Sequence, residues 1–318
     1  MKLFITDKAF VERMQFKEFN YVWFDGKIIE WDNAKVPVMT HAIHYGTSVI
    51  EGIRAYATKD NLYVFRLADH IKRLHKSADV YSIGVKYSVD ELVKATVEII
   101  RKNQIKSSCY IRPIAFVGFH GIDLSINTKS PSHMAILLFT FDQYLNSKGI
   151  RVCISSWRRI NDLSTPPLAK AGGNYLNSVL ATQECKRNGY DEAIMLDNYG
   201  MVSEAPGENV FIVRDGKIYT PPASSSVLEG ITRDTAIRIA KEMGYELIER
   251  TIPRTELYIS DEIFLTGTAA EVTPVISVDG HTIGEGIEGP ISKSIRETYS
   301  KIVRADMKEY MHWLAPVW

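Results

Sequence analysis

The stretch YVWFDGKIIEW (residues 21–31) sets two apolar runs on either side of Asp25-Gly26. An Asp-Gly pair between such runs is a strong hairpin signal, because a two-residue type I′ turn needs positive φ at both central positions. Working outward, Asn61 to Leu67 reads as a strand, and Ile71, Leu74, Ala78 and Tyr81 then recur at helical spacing. Ser88 and Glu91 form a capping box ahead of a second amphipathic helix carrying Leu92, Thr96 and Ile99. CYIRPIAFVG (109–118) and HMAILLFTF (133–141) are two further strands. Strands and helices alternate but include a hairpin, which predicts an α+β unit and not a doubly wound sheet.

YLNSKG (144–149) breaks this pattern and reads as a linker. It separates a smaller N-terminal α/β domain (1–143) from a larger C-terminal domain (150–318). In the second half RVCISSW (151–157) is a strand, and the loop DLSTPPLAK (162–170) leads into a helix. Leu176, Val179 and Leu180 share a face of that helix, and Gly189 suits its C-terminal cap. EAIMLD (192–197), MVSEAP (201–206), NVFIV (209–213) and KIYT (217–220) read as strands, the last two joined by Asp215-Gly216. Arg233 to Met243 is a helix ending at Gly244; YELIERTI (245–252), EIFLTG (262–267) and VTPVISVDG (272–280) follow as strands. Pro290 sits well in the first turn of a last helix, and the tail MHWLAPVW (311–318) offers aromatics for an interface. Mostly strand with three helices, this half predicts a barrel-like sheet.

A chain of 318 residues is long enough for two domains of about 150 residues. Lys plus Arg equal Asp plus Glu, so neither nucleic acid nor a polybasic membrane contact is expected. No run reaches the roughly 18 apolar residues of a membrane span, and the start lacks the apolar region of a signal peptide. Cys109, Cys153 and Cys185 are odd in number and widely spaced. They read as reduced core thiols of a cytoplasmic protein.

KAGGNY (170–175) is the most unusual segment. Its lysine, Lys170, is flanked by Leu168, Ala169, Ala171 and Gly172, not by charges. An apolar setting disfavours the ammonium form and leaves an amine able to attack a carbonyl, as a Schiff-base lysine must. Pyridoxal phosphate would further need an acid for its ring nitrogen, a phosphate cup and a carboxylate clamp. Glu204 is a candidate for the first. LEGITRD (228–234) opens a helix whose free N–H groups and dipole favour a dianion, with Thr232 adding a hydroxyl. TGTAA (266–270) ends a strand in a small-residue turn with more backbone donors. No dinucleotide fingerprint, P-loop or nucleophile elbow is present, and His41, His44, His70 and His75 make no convincing metal set.

Taken together, HYGTSVIEGIR (44–54), YIRPIAFVG (110–118), KAGGNYLNS (170–178), SEAPGENVF (203–211), LEGITRD (228–234) and LTGTAAEVTPV (265–275) resemble, in order, the branched-chain amino acid aminotransferases. These are pyridoxal phosphate enzymes of fold type IV, a class shared with D-amino acid aminotransferases and aminodeoxychorismate lyases. The resemblance implies transamination of L-leucine, L-isoleucine and L-valine with 2-oxoglutarate. It makes Lys170 the Schiff-base lysine and Glu204 the partner of the pyridine nitrogen. Arg73, Gly230, Ile231, Thr232 and Thr268 would hold the phosphate. Leu228 would pack under the ring, and Tyr175 would hydrogen-bond the phenolic oxygen. Tyr110, Arg112 and the turn at Thr268, Ala269 and Ala270 would receive substrate carboxylates. Ile50, Phe141, Tyr144 and Tyr175 would wall an apolar pocket with Arg54 nearby. Tyr45 and Leu124 would reach in from a second subunit of a homodimer or higher oligomer. Ile50 stands where many bacterial members carry an aromatic, and the loop 118–133 departs from the family's common form. Within the fold a D-amino acid or (R)-amine transaminase is the alternative; outside it, a silent binding protein on the same scaffold.

Overall fold

The computed structural model describes residues 19–140, 145–146 and 148–318. Phe141, Tyr144 and part of the expected linker therefore lie outside the described residues. Two compact units emerge: 19–140 with 308–318, and 145–307.

In chain order, β1 (Tyr21–Phe24) and β2 (Lys27–Glu30) form the expected hairpin, with Asp25 and Gly26 at φ 45° and 84°. Next come α1 (His41–Tyr45), β3 (Ser48–Ile50), β4 (Ile53–Ala57) and β5 (Leu62–Phe65). α2 (Leu67–Val80) buries Ile71, Leu74 and Ala78, and α3 (Val89–Lys102) opens with the Ser88–Glu91 capping box formed in both directions. β6 (Cys109–Val117) and β7 (Ser132–Phe139) complete this stretch. The other unit contains β8 (Ile150–Arg158), α4 (Tyr175–Arg187), β9 (Glu192–Leu196), β10 (Asn209–Arg214), β11 (Lys217–Thr220) and α5 (Ile231–Glu242). It continues with β12 (Leu247–Glu249), α6 (Arg254–Leu257), β13 (Glu262–Gly267), β14 (Glu271–Val278), β15 (His281–Thr282) and α7 (Pro290–Val303). The last strand, β16 (Leu314–Pro316), returns to the first unit.

The sheet of the first unit runs β16-β5-β4-β6-β7-β1-β2, with β3 also on β6. β6 pairs with β7 from Tyr110 to Val117; on its other side β4 and β3 follow one another. Pro113 sits where that side changes partner, which is how a residue without an N–H is tolerated in a central strand. Its carbonyl accepts from the Glu51 N–H at 2.9 Å. In the second unit the mixed sheet runs β12-β11-β10-β13-β14-β8-β9, with β15 on β14. β10 and β13 are buried along both faces except at one end, as unbroken apolar runs require. Phe211 and Phe264 stack at 4.8 Å on one face, while Val210, Ile212, Ile263 and Leu265 pack on the other.

Four expectations need correction. The tail Lys308–Trp318 belongs to the first unit, not to the C-terminal one, because β16 extends its sheet beside β5. Trp313 of that tail is buried against Phe65, so this aromatic serves its own unit. MVSEAP forms no ladder strand: isolated bridges, Leu196 to Val202, Met201 to Pro253 and Glu204 to Asn209, hold it between two tight turns. The apolar face of α4 points outward, with Leu176 73% exposed; its inner face is Ser178, Ala181 and Cys185. All three cysteines are buried free thiols.

Candidate active site

The second unit gathers the lysine, the acid and the helix N-terminus expected from the sequence. Lys170 lies between buried Ala169 and Ala171. Its Nζ donates to the Tyr175 hydroxyl at 2.9 Å, across the first turn of α4. Asn174, just before that helix, donates to the carbonyls of Pro166 and Ala169 at 3.1 Å and so clamps the loop that presents Lys170.

Glu204 is 4% exposed. Arg159 donates through Nε to its Oε1 at 2.7 Å; Asn209 Nδ2 and the Leu228 N–H both donate to Oε2 at 3.0 Å. Burial is the strongest influence on this carboxyl and pushes its pKa up, while Arg159, the Leu228 N–H and Lys170 pull the other way. A carboxylate has about four lone-pair sites, so three donors leave capacity for one more N–H.

Helix α5 begins at Ile231 rather than at Arg233, with Gly230 as its N-cap and no side chain capping it. The first N–H groups of a helix lack intrahelical partners, and together with the dipole they suit a dianion. Thr232 is buried in that first turn. Thr266, which pairs with Asn209 across the sheet, has a buried hydroxyl without a hydrogen-bond partner. Beyond Gly267 the chain turns through Thr268, Ala269 and Ala270 into β14, with Glu271 at φ 57°. Thr273 ties the turn by donating to the Ala270 carbonyl at 2.7 Å.

A second set of expected residues lies together in the first unit. Tyr110, Arg112 and Ile114 share the less buried face of β6, since its odd-numbered neighbours point into the core. Arg112 donates to the Tyr110 hydroxyl at 3.2 Å and lies 5.3 Å from its ring centroid. Its Nε is buried without a partner. Gly52 is required by space: a Cβ there would stand 1.9 Å from the Tyr110 hydroxyl. Ile50 is buried in β3, and Arg54 lies 5.2 Å from the Tyr56 ring. Arg73 makes a bidentate pair with buried Glu51, Nε to Oε1 at 2.7 Å and Nη2 to Oε2 at 2.8 Å. His70, one of the histidines weighed for metal, sits on the same carboxylate at 2.7 Å. Tyr45 donates to the Ile122 carbonyl at 3.3 Å, and Leu124, two residues further on, is 71% exposed. Among the described residues no group of three His, Cys, Asp or Glu is arranged to hold a metal, and no helix is long and apolar enough to cross a membrane.

Sequence reasoning missed Arg159, Asn209, Glu51 and Gly52. Asn209, Glu51 and Gly52 stand inside motifs already singled out. Arg159 carries no local signal, being 45 positions from the carboxylate it holds.

The residues of the second unit fit pyridoxal phosphate. They supply an amine, a buried carboxylate with one acceptor position in hand, and a helix start without a side-chain cap.

The sequence pattern of the amino-transferase class IV family matches residues 48–278. The branched-chain-amino-acid aminotransferase of Escherichia coli (strain K12) is 45% identical over 96% of this chain and 99% of its own length. The crystal structure of the branched-chain aminotransferase of Thermoproteus uzoniensis with norvaline superposes with a TM-score of 0.92 at 46% identity, covering 94% of this chain and 100% of that one. The branched-chain amino acid aminotransferase of Thermobaculum terrenum, solved in its pyridoxal phosphate holo-form, gives 0.90 at 38% identity, over 95% and 99%. The expected α+β fold is thus the fold of these enzymes, and pyridoxal phosphate is the cofactor of their class. A half-buried lysine–tyrosine pair, a protected carboxylate and an anion-ready helix start, set in a fold and sequence matched along nearly their whole length, place this chain in the class IV aminotransferases, within the branched-chain-amino-acid group.

Proposed function

We propose that this protein transfers the amino group of L-leucine, L-isoleucine and L-valine to 2-oxoglutarate, giving branched-chain 2-oxo acids and L-glutamate, in the cytoplasm. The observation that carries the site assignment is the Lys170–Tyr175 hydrogen bond beside a buried, thrice-bonded Glu204. When bound, pyridoxal phosphate supplies an electron-poor ring that accepts the electron pair of the breaking Cα–H bond. Lys170 would hold the cofactor through Nζ, and the same amine would move the Cα proton. Such a general-base role is worth roughly 10²–10⁴-fold. Glu204 would hold the ring nitrogen and keep a proton on it. The start of α5 at Gly230, Ile231 and Thr232 binds phosphate together with Thr268, and Leu228 supports the ring. Tyr175 orients the phenolic oxygen.

Within the first unit Tyr110 and Arg112 are assigned to substrate carboxylates. The buried, partnerless Nε of Arg112 supports this assignment. The turn at Thr268, Ala269 and Ala270 offers further N–H donors. Within the first unit Ile50 is assigned to the apolar side-chain pocket, with Arg54 near it. Tyr45 and Leu124 complete it from a second copy of the chain. Exposure of Ile43, Phe119, Ile122 and Leu124 on one stretch of the first unit supports the homodimer.

Borohydride reduction of the coloured protein followed by peptide mapping should mark Lys170. Lys170→Ala should abolish transamination of leucine, isoleucine and valine; full activity in that variant refutes the assignment. Turnover of D-alanine or (R)-1-phenylethylamine, with none of the three L-amino acids, would replace the substrate reading.

A further inference from the structure

Asn209 is 5% exposed at the first position of β10 and has no part in the roles assigned above. Its side-chain nitrogen donates twice, to Glu204 Oε2 at 3.0 Å and to the Leu228 carbonyl at 2.9 Å. Both partners are acceptors, so the orientation of the amide is fixed by chemistry. The Leu228 N–H donates to the same Glu204 oxygen at 3.0 Å, which closes a small ring of hydrogen bonds between side chains and main chain. The amide oxygen faces Gly230. It lies 2.2 Å from where a Cβ of Gly230 would stand. Gly230 has an ordinary φ of −67°, so glycine is needed there for the space that Asn209 fills, not for its backbone angle.

We propose that Asn209 is a positioning residue of the transamination: it ties the Glu204 carboxylate to the main chain at Leu228, so the partner of the ring nitrogen and the segment entering α5 keep one geometry. The inference rests on the reading of Glu204 given above. Arg159 holds the opposite oxygen, so loss of Asn209 leaves Oε2 with the Leu228 N–H alone and unties the carboxylate from the Leu228 carbonyl. Aspartate has the shape of asparagine but cannot donate to either acceptor, and it sets a second carboxyl against Glu204.

The test compares Asn209→Asp, Asn209→Ala and Glu204→Gln holoenzymes. Four quantities are read: kcat and KM for leucine, the thermal midpoint, and the 15N resonance of the ring nitrogen in bound 15N-labelled pyridoxal phosphate. Asn209→Asp should lower kcat by about tenfold or more, as loss of a hydrogen bond to a charged group implies. KM should stay within about threefold, and the resonance should move toward the unprotonated pyridine position. Asn209→Ala should show the same changes at about half the size on a logarithmic scale, and it carries the test alone if Asn209→Asp does not fold. A 15N resonance and kcat unchanged in both, or a change confined to KM or the thermal midpoint, overturns the inference. In the Glu204→Gln background Asn209→Ala should add less than about twofold; a full, multiplicative loss also overturns it. Wild-type kcat in Glu204→Gln itself refutes the underlying reading of Glu204 instead.

Discussion

Glu51 in the first unit and Glu208 in the second are both enclosed carboxyls, 0% and 4% exposed, yet the protein treats them oppositely. Burial is the strongest influence on each and pushes each up. At Glu51 the charges of Arg73 and His70 outweigh it and hold the carboxyl far below its ordinary range. At Glu208 the next influence is the negative charge of Glu192, and the group is pushed up to about 8. Equal depth therefore does not set charge. The first unit encloses a carboxylate with cations around it, whereas the second keeps a neutral carboxyl on the short turn that also carries Glu204. That turn is drawn tight by the Ala205 N–H donating to the Glu208 carbonyl at 2.7 Å.

The contrast is most easily broken at Glu51. Glu51→Ala leaves Arg73 and His70 without their carboxylate and should cost about 3–5 kcal/mol in urea unfolding. The stability that Glu51 supplies is present above its unfolded pKa near 4.5 and is lost as pH falls through the depressed folded value. A stability profile that stays flat in acid for the wild type would contradict the pairing.

At Glu208 the sign reverses. Its folded pKa is raised, so the stability favouring the neutral form is full below 4.5 and is lost as pH rises toward about 8. Glu208→Gln keeps the neutral shape and should remove that loss, gaining on the order of 2 kcal/mol over wild type near pH 8. Thermal midpoints of the two proteins from pH 5 to about 8.5 decide it: they should diverge as pH rises, and parallel curves would mean that Glu208 is ionised throughout.

The smallest effect sharpens the comparison inside the second unit. Glu256 is paired with Arg250, Nη1 to Oε2 at 2.9 Å, and with Arg214 at 3.3 Å, and its pKa is lowered chiefly by the Arg250 hydrogen bond. Both arginines are about a third exposed, so solvent screens the pair. Glu256→Gln should therefore cost only about 1 kcal/mol in urea unfolding near neutral pH. A loss as large as that of Glu51→Ala would show that partner number, not enclosure of the partners, sets the scale.

Much of this site was legible in the chain because its parts are local. The Lys170–Tyr175 pair spans five positions and one helix start, and Gly230 with Thr232 opens α5 in a single turn. The helix was nevertheless expected to begin two residues late, since nothing in Ile231 or Thr232 announces a helix once a glycine precedes them. MVSEAP looked like a strand because it is apolar and short. Its polar atoms are instead spent on the turns that aim Glu204 and Asn209. The outward apolar face of α4 misleads for another reason: periodicity finds a face but not the side on which it packs.

By itself the sequence determined the Asp25-Gly26 hairpin, the Ser88 capping box and the order of the motifs, because each follows from steric rules and spacing along the chain. Only the tertiary structure decided that the tail joins the first unit, that Arg159 and Asn209 bracket Glu204, and that Glu51 is charged where Glu208 is not. Those outcomes depend on groups brought together from distant parts of the chain, in surroundings where loss of water makes each neighbour's charge count.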